Sequence, residues 1–152
     1  PLVLGEFGVS VVGSMNWYDY TWADPRLGEL FPDLPERLRA KRFTRGQHND
    51  ANFVRWELDD AGFTRECVAT LERHLAATAG DLIGVFHHPP FRGLNYPRPD
   101  PPSPDSLLWE AFAGNAAMEE LVAAHADRLK VVFCGHTHFA REGTLGPVRG
   151  YN

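Results

Sequence analysis

Val131-Val132-Phe133-Cys134-Gly135-His136-Thr137-His138 decides how this chain reads. Four apolar residues in a row suit a strand covered on both faces. The glycine lets the backbone turn sharply with no Cβ in the way. His136 and His138 stand two apart, so on an extended backbone their side chains point to the same side. Imidazole is a ligand for zinc, iron and similar ions, and the spacing predicts that His136 and His138 bind metal. The bland alternative is a pair of turn histidines bonded to backbone carbonyls.

A second stretch repeats the arrangement. Leu82-Ile83-Gly84-Val85-Phe86 is another continuous apolar run, and it leads into His87-His88-Pro89-Pro90. Four of the seven histidines therefore lie at two strand ends. In open α/β sheets, ligands gather beyond the carboxyl ends of the strands, so the two ends point to one site. His87 is predicted to be the third ligand. His88 must face the other way from its neighbour, which leaves it a supporting or substrate-facing role. His74 and His125 fall in helical segments away from the cluster.

Working outward, Leu2–Leu4 and Val9–Gly13 read as short strands. Residues 16 to 43 form a long irregular excursion with a short helix near Leu34 to Arg42. Phe53 to Leu58 alternates with period two and predicts a half-buried strand. Asp59 or Asp60 then caps a helix with Phe63, Cys67, Leu71 and Leu75 at i+4 steps, which Gly80 ends. Five prolines between Pro97 and Pro104 require loop. Helices are predicted from Ser106 to Ala113 and from about Asn115 to Ala126, and Thr144 to Val148 can begin a further strand. Strands alternating with helices indicate an α/β fold in one domain.

Composition limits the function classes. At 152 residues, 43% hydrophobic and 12% aromatic, the chain can bury a real core. Its net charge of -5 argues against nucleic-acid binding by bulk charge. No apolar run approaches the roughly 20 residues of a membrane span. Cys67 and Cys134 sit in apolar periodic segments and read as buried free thiols, which fits a reducing, cytoplasmic setting.

His87-His88-Pro89-Pro90-Phe91 followed by Gly135-His136-Thr137-His138 resembles the C-terminal half of the calcineurin-like metallophosphoesterase superfamily, in its soluble bacterial form. The resemblance implies the C-terminal half of a layered α/β/β/α sandwich, with residues 1-152 a partial domain. It implies two divalent or mixed-valence metal ions (Mn, Fe or Zn). His87 and His136 would share the second ion, and His138 would bind the first. Such paired ions, about 3.5–4 Å apart, clamp a phosphoryl oxygen and generate a hydroxide nucleophile. The implied activity is that of a phosphatase or phosphodiesterase on a small phosphoester. Arg92 and His88 are the candidate catalytic residues facing substrate, with Asn95 and Tyr96 on the same loop.

The chain departs from the family's pattern in its acidic ligands. Asp-x-His, Gly-Asp-x-x-Asp and Gly-Asn-His-Asp are absent in intact form. Gly46-Gln47-His48-Asn49-Asp50 reads as a coincidental scramble of the third, though Asn49 or Asp50 could approach the site. Gly13-Ser14-Met15-Asn16 is better placed, with Asn16 an even choice as ligand. These absences predict a fragment that supplies only the histidine half of the site and hydrolyses little alone. Two other readings stay open: a mononuclear zinc hydrolase on His87, His136 and His138, and an inactive binding or regulatory module of the same fold.

Overall fold

The computed structural model describes residues 1–152. A short edge strand, β1 (Leu2–Leu4), turns through one 3-10 turn into β2 (Val9–Ser14). The excursion that follows carries three short helices, α1 (Leu27–Leu30), α2 (Leu34–Arg39) and α3 (Asp50–Phe53). The long helix α4 (Asp60–Ala76) leads to β3 (Asp81–Phe86). After the proline-rich loop come α5 (Pro104–Ala111), α6 (Ala116–Ala124) and β4 (Leu129–Phe133). A closing hairpin is made of β5 (Glu142–Leu145) and β6 (Val148–Tyr151).

The strands form one mixed six-stranded sheet in the order β1-β2-β3-β4-β6-β5. β2, β3, β4 and β6 are parallel neighbours, and β1 and β5 add antiparallel edges. The α/β class expected from the alternation of elements is the observed one. These residues form a single sheet with helices on one face. Side chains of Val12, Phe86, Val132 and Val148 pack there against Leu71 and Leu75 of α4 and Met118 and Val122 of α6. A second core joins Trp17, Tyr18, Leu27 and Leu38 of the excursion to Leu107, Leu108 and Phe112 around α5.

The central strands differ from expectation in one respect. Continuous apolar runs were expected to be covered on both faces, but burial alternates along β3, and β4 buries only Leu129 and Val132. Val85 and Phe133 lie 47% and 46% exposed on the bare face. They flank each other in register, with Gly13 and Tyr151 on either side. Phe133 and Tyr151 stack at 5.6 Å. The bare face of the sheet is therefore partly apolar, with Val85 and Phe133 presenting large side chains to solvent.

Local signals explain most helix boundaries. Asp59 is the cap of α4, its Oδ1 accepting from the Gly62 amide at 2.6 Å. Ser103 and Asn115 cap α5 and α6 in the same way. α4 stops at Ala76, before Gly80, whose φ of +77° is used in the turn into β3. The strand expected over Phe53 to Leu58 does not form. Phe53 ends α3, and Trp56 leaves any ladder to stack on Phe63 at 4.0 Å. Period-two alternation there reflects one aromatic anchor in a loop, with no neighbouring strand to pair.

Candidate metal centre

β3 and β4 are parallel neighbours, so their carboxyl ends lie side by side. The chain beyond β3 is held by the continuation of β2: the His87 amide donates to the Ser14 carbonyl and the His88 amide to that of Met15. The Gly135 amide donates to the His87 carbonyl at 3.0 Å, which locks the two histidine segments together. His136 has a φ of +70° and His138 of +55°. Both are in the left-handed region, which few residues other than glycine enter and where Asn, Asp and His are the commonest exceptions. Such local strain clusters at ligand sites.

The result is a three-imidazole cluster. One ring nitrogen from each of His87, His88 and His136 lies within 4.8 Å of the others. The His88 and His136 rings are 3.9 Å apart between centroids. His88 is almost fully buried, and its Nδ1 faces the Met15 carbonyl at 3.3 Å. That contact favours the proton on Nδ1 and leaves Nε2 with a free lone pair, the tautomer a metal ligand needs. The Nε2 atoms of both His88 and His136 are buried with no hydrogen-bond partner. An unpartnered buried polar atom costs about 1–3 kcal/mol. Two of them facing one spot, with a third imidazole at hand, fit a bound ion. His87, His88 and His136 would hold it.

The surroundings keep these rings neutral. Burial, then the neighbouring His136 and His87, hold the His88 imidazole well below its ordinary range. Burial, then His48 and His87, push the His136 imidazole down to about 4. Trp17 meets the His88 ring edge-on at 4.8 Å, and Trp109 lies nearly parallel to His136 at 5.7 Å. Trp17 and Tyr18 are thus buried walls of the site, with core packing as their role.

His48 and Asp50 stand next to the cluster, Asp50 as one of the two residues that the sequence allows to approach the site. His48 was read as part of a coincidental scramble, yet its ring centroid lies 5.9 Å from that of His136. Its Nδ1 is 3.1 Å from Asp50 Oδ2, which also accepts from the Tyr18 hydroxyl at 2.9 Å. Burial raises the Asp50 carboxyl, but the His48 and Tyr18 contacts outweigh it and leave it below its ordinary range. The reason is tertiary: Thr44 bonds to Asp105, and the Phe43 and His48 rings pack on Trp109, which seats this stretch against α5. A short polar loop carries no periodic signal that would have announced this.

The other expected residues lie elsewhere. His138 is exposed and outside the three-imidazole cluster. Arg92 donates to the carbonyls of Thr21 and Trp22 and lies over the Trp22 ring at 5.1 Å. Asn95 Oδ1 accepts from the Tyr96 amide, and Tyr96 meets Phe139 edge-on. Asn16 is no ligand. Its Nδ2 donates to the carbonyls of His88 and Pro89, and its Oδ1 accepts from Asn115. Cys67 and Cys134 are free thiols, and burial pushes Cys134 up to about 12. No helix is long and apolar enough to cross a membrane.

The metal-free chain should lose stability in mild acid. An unfolded imidazole titrates near 6.5, whereas folded His136 titrates at about 4. Between those values the unfolded state binds a proton that the folded state refuses, so stability falls as pH drops through that window. The full effect is roughly 3 kcal/mol, and His88 acts in the same direction. Urea midpoints measured from about pH 7 to pH 4.5 should decline, and His136→Phe should flatten the decline.

No family model matches the chain, and no curated protein does. A solved structure does: a phosphopantetheinyl hydrolase (PptH) from Mycobacterium tuberculosis, with a TM-score of 0.64 and 17% identity over 95% of this chain and 48% of that one. The chain thus spans about half the length of the structure it matches, and the likeness is one of fold. These findings correct the expected membership in the calcineurin-like metallophosphoesterase superfamily. No model of any family matches, and the structural neighbour carries a different name. Two short histidine motifs specify where strands end and which way imidazoles point, a local geometry that does not by itself establish ancestry.

Proposed function

We propose that this chain supplies the imidazole half of a metal-dependent site that hydrolyses small phosphoesters, as a phosphatase or phosphodiesterase. The observation that carries the reading is the pair of buried, unpartnered Nε2 atoms on His88 and His136 beside His87. When bound, divalent ions polarise a phosphoryl oxygen and acidify water. Zn, Mn and Fe all suit imidazole with carboxylate. The chain's own contribution is to hold three neutral imidazoles, to fix the His88 tautomer through the Met15 carbonyl, and to exclude water with Trp17, Tyr18 and Trp109. In the overall reaction a water oxygen bonds to phosphorus, the P–O bond to the alcohol breaks, and the departing oxygen takes a proton.

Three imidazoles cannot balance the charge of two divalent ions, so the carboxylates of a dinuclear centre come from elsewhere. His87 continues the alternation that exposes Val85, which puts it at the end of the bare sheet face. A second sheet packed on that face, completing a layered α/β/β/α sandwich, would bring acidic ligands to it. The half-length match to a larger hydrolase supports this arrangement. A mononuclear zinc site is the second reading, favoured by three ligand atoms close enough for one ion.

Hydrolysis of bis(p-nitrophenyl) phosphate with Zn or Mn tests the proposal, measured on the 152 residues alone and on a longer polypeptide that includes the covering layer. Little turnover alone and full turnover in the longer form is the expected result. Two tightly bound ions and full activity in the 152 residues alone would overturn the half-site. A metal-loaded longer form that turns over no phosphoester would overturn the hydrolase. One firm zinc per chain, with activity, would favour the mononuclear reading.

A further inference from the structure

A cleft of about 480 Å³ opens beside the histidine cluster, between Phe43, Tyr96, Pro97 and Trp109. It is large enough for a small organic molecule. Two of its lining residues tie it to the metal centre. Trp109 lies nearly parallel to the His136 ring, and Thr137 separates His136 from His138. The Phe43 and Trp109 rings are themselves nearly parallel, 15° apart in plane. Tyr96, 47% exposed, presents its ring on the loop that forms the opposite lip.

The charges lining this cleft are mostly spent on one another. Arg98 is clamped by both oxygens of Glu110 and also reaches Asp24 at 2.9 Å. Asp105 accepts from the amide and hydroxyl of Thr44. Arg45 lines the cleft with neither a salt bridge nor a side-chain hydrogen bond. The walls therefore suit a flat, uncharged aromatic body, which gains most from offset or edge contacts with aromatic rings. The free guanidinium suits an anionic group attached to it.

We propose that this cleft binds the leaving group of the substrate, an aromatic alcohol esterified to phosphate, with its phosphate toward His136. The proposal rests on the hydrolytic reading and names the substrate class of that site. It makes Tyr96 and Arg45 determinants of specificity. Both are exposed and neither belongs to the ligand set.

The test uses 1-naphthol, 1-naphthyl phosphate and inorganic phosphate, added to the chain with and without zinc. Binding is read by NMR from the Trp109 indole N–H and from the histidine ring signals. 1-Naphthol should shift the Trp109 signal saturably with or without zinc, and Tyr96→Ala should weaken its binding about tenfold. 1-Naphthyl phosphate should bind more tightly than 1-naphthol, an advantage that Arg45→Ala should reduce. No Trp109 shift, indifference to Tyr96→Ala, or shifts confined to the Val85–Phe133 face would overturn the cleft. Failure of the hydrolytic reading would show separately, as histidine signals that do not respond to zinc while naphthol still binds.

Discussion

His136→Ala is expected to weaken zinc or cobalt binding by at least about a hundredfold while leaving the chain folded. Loss of a residue that merely orients a ligand costs 10–100-fold in affinity, and His136 is placed to be a ligand. Its Nε2 is buried and unpartnered, and burial with the nearby His48 and His87 keeps the ring neutral and able to coordinate. Folding should suffer little. The substitution loses contacts with His88 and Trp109 but also removes an unsatisfied buried nitrogen, and the two effects oppose each other. His138→Ala is the matching control. That side chain is exposed and outside the cluster, so its loss should cost this ion less than tenfold. Equilibrium titration with cobalt, followed by its visible absorption, reads both variants. Equal losses from the two would place His138 on the same ion as His136, against the geometry.

Asn16→Ala should have the largest effect on stability, about 3 kcal/mol or more, and should abolish metal binding at the same time. Asn16 is fully buried in the left-handed region at a φ of +48°, where asparagine is among the few tolerated residues. Its side chain satisfies the carbonyls of His88 and Pro89 and the amide of Asn115, three groups from two distant segments. Alanine would leave all three buried without a partner, at about 1–3 kcal/mol each if nothing relaxes. It would also free the turn that directs His88. Asn16→Asp keeps the shape but places a carboxylate oxygen against two carbonyls, so it should be at least as damaging. Urea denaturation with parallel zinc titration checks both. A stable Asn16→Ala chain with intact zinc affinity would mean that the histidine turn holds itself.

Much of this site is legible from local rules. Apolar runs that end in glycine or proline show where strands stop, and parallel pairing of β3 with β4 brings their histidines together. Asp59 and Asn115 each announce a helix start, because capping chemistry is local, whereas α5, expected from Ser106, starts earlier behind its Ser103 cap. What escapes the sequence depends on distant partners. Period-two alternation placed His88 across from His87, yet its ring lies in the cluster, with Nδ1 facing the Met15 carbonyl. The positive φ at His136 and His138 likewise breaks the extended geometry that put both on one side. His48 reaches the site on a short polar loop whose path no periodicity records. Asn16, read as an even choice for a ligand, holds the turn that aims one.

Anomalous X-ray scattering from zinc-soaked crystals tests the metal centre most directly. The predicted result is a strong peak bonded to His87, His88 and His136, with His138 outside that ligand set. A peak bound through His138 without His88, or no peak between β3 and β4, would contradict it.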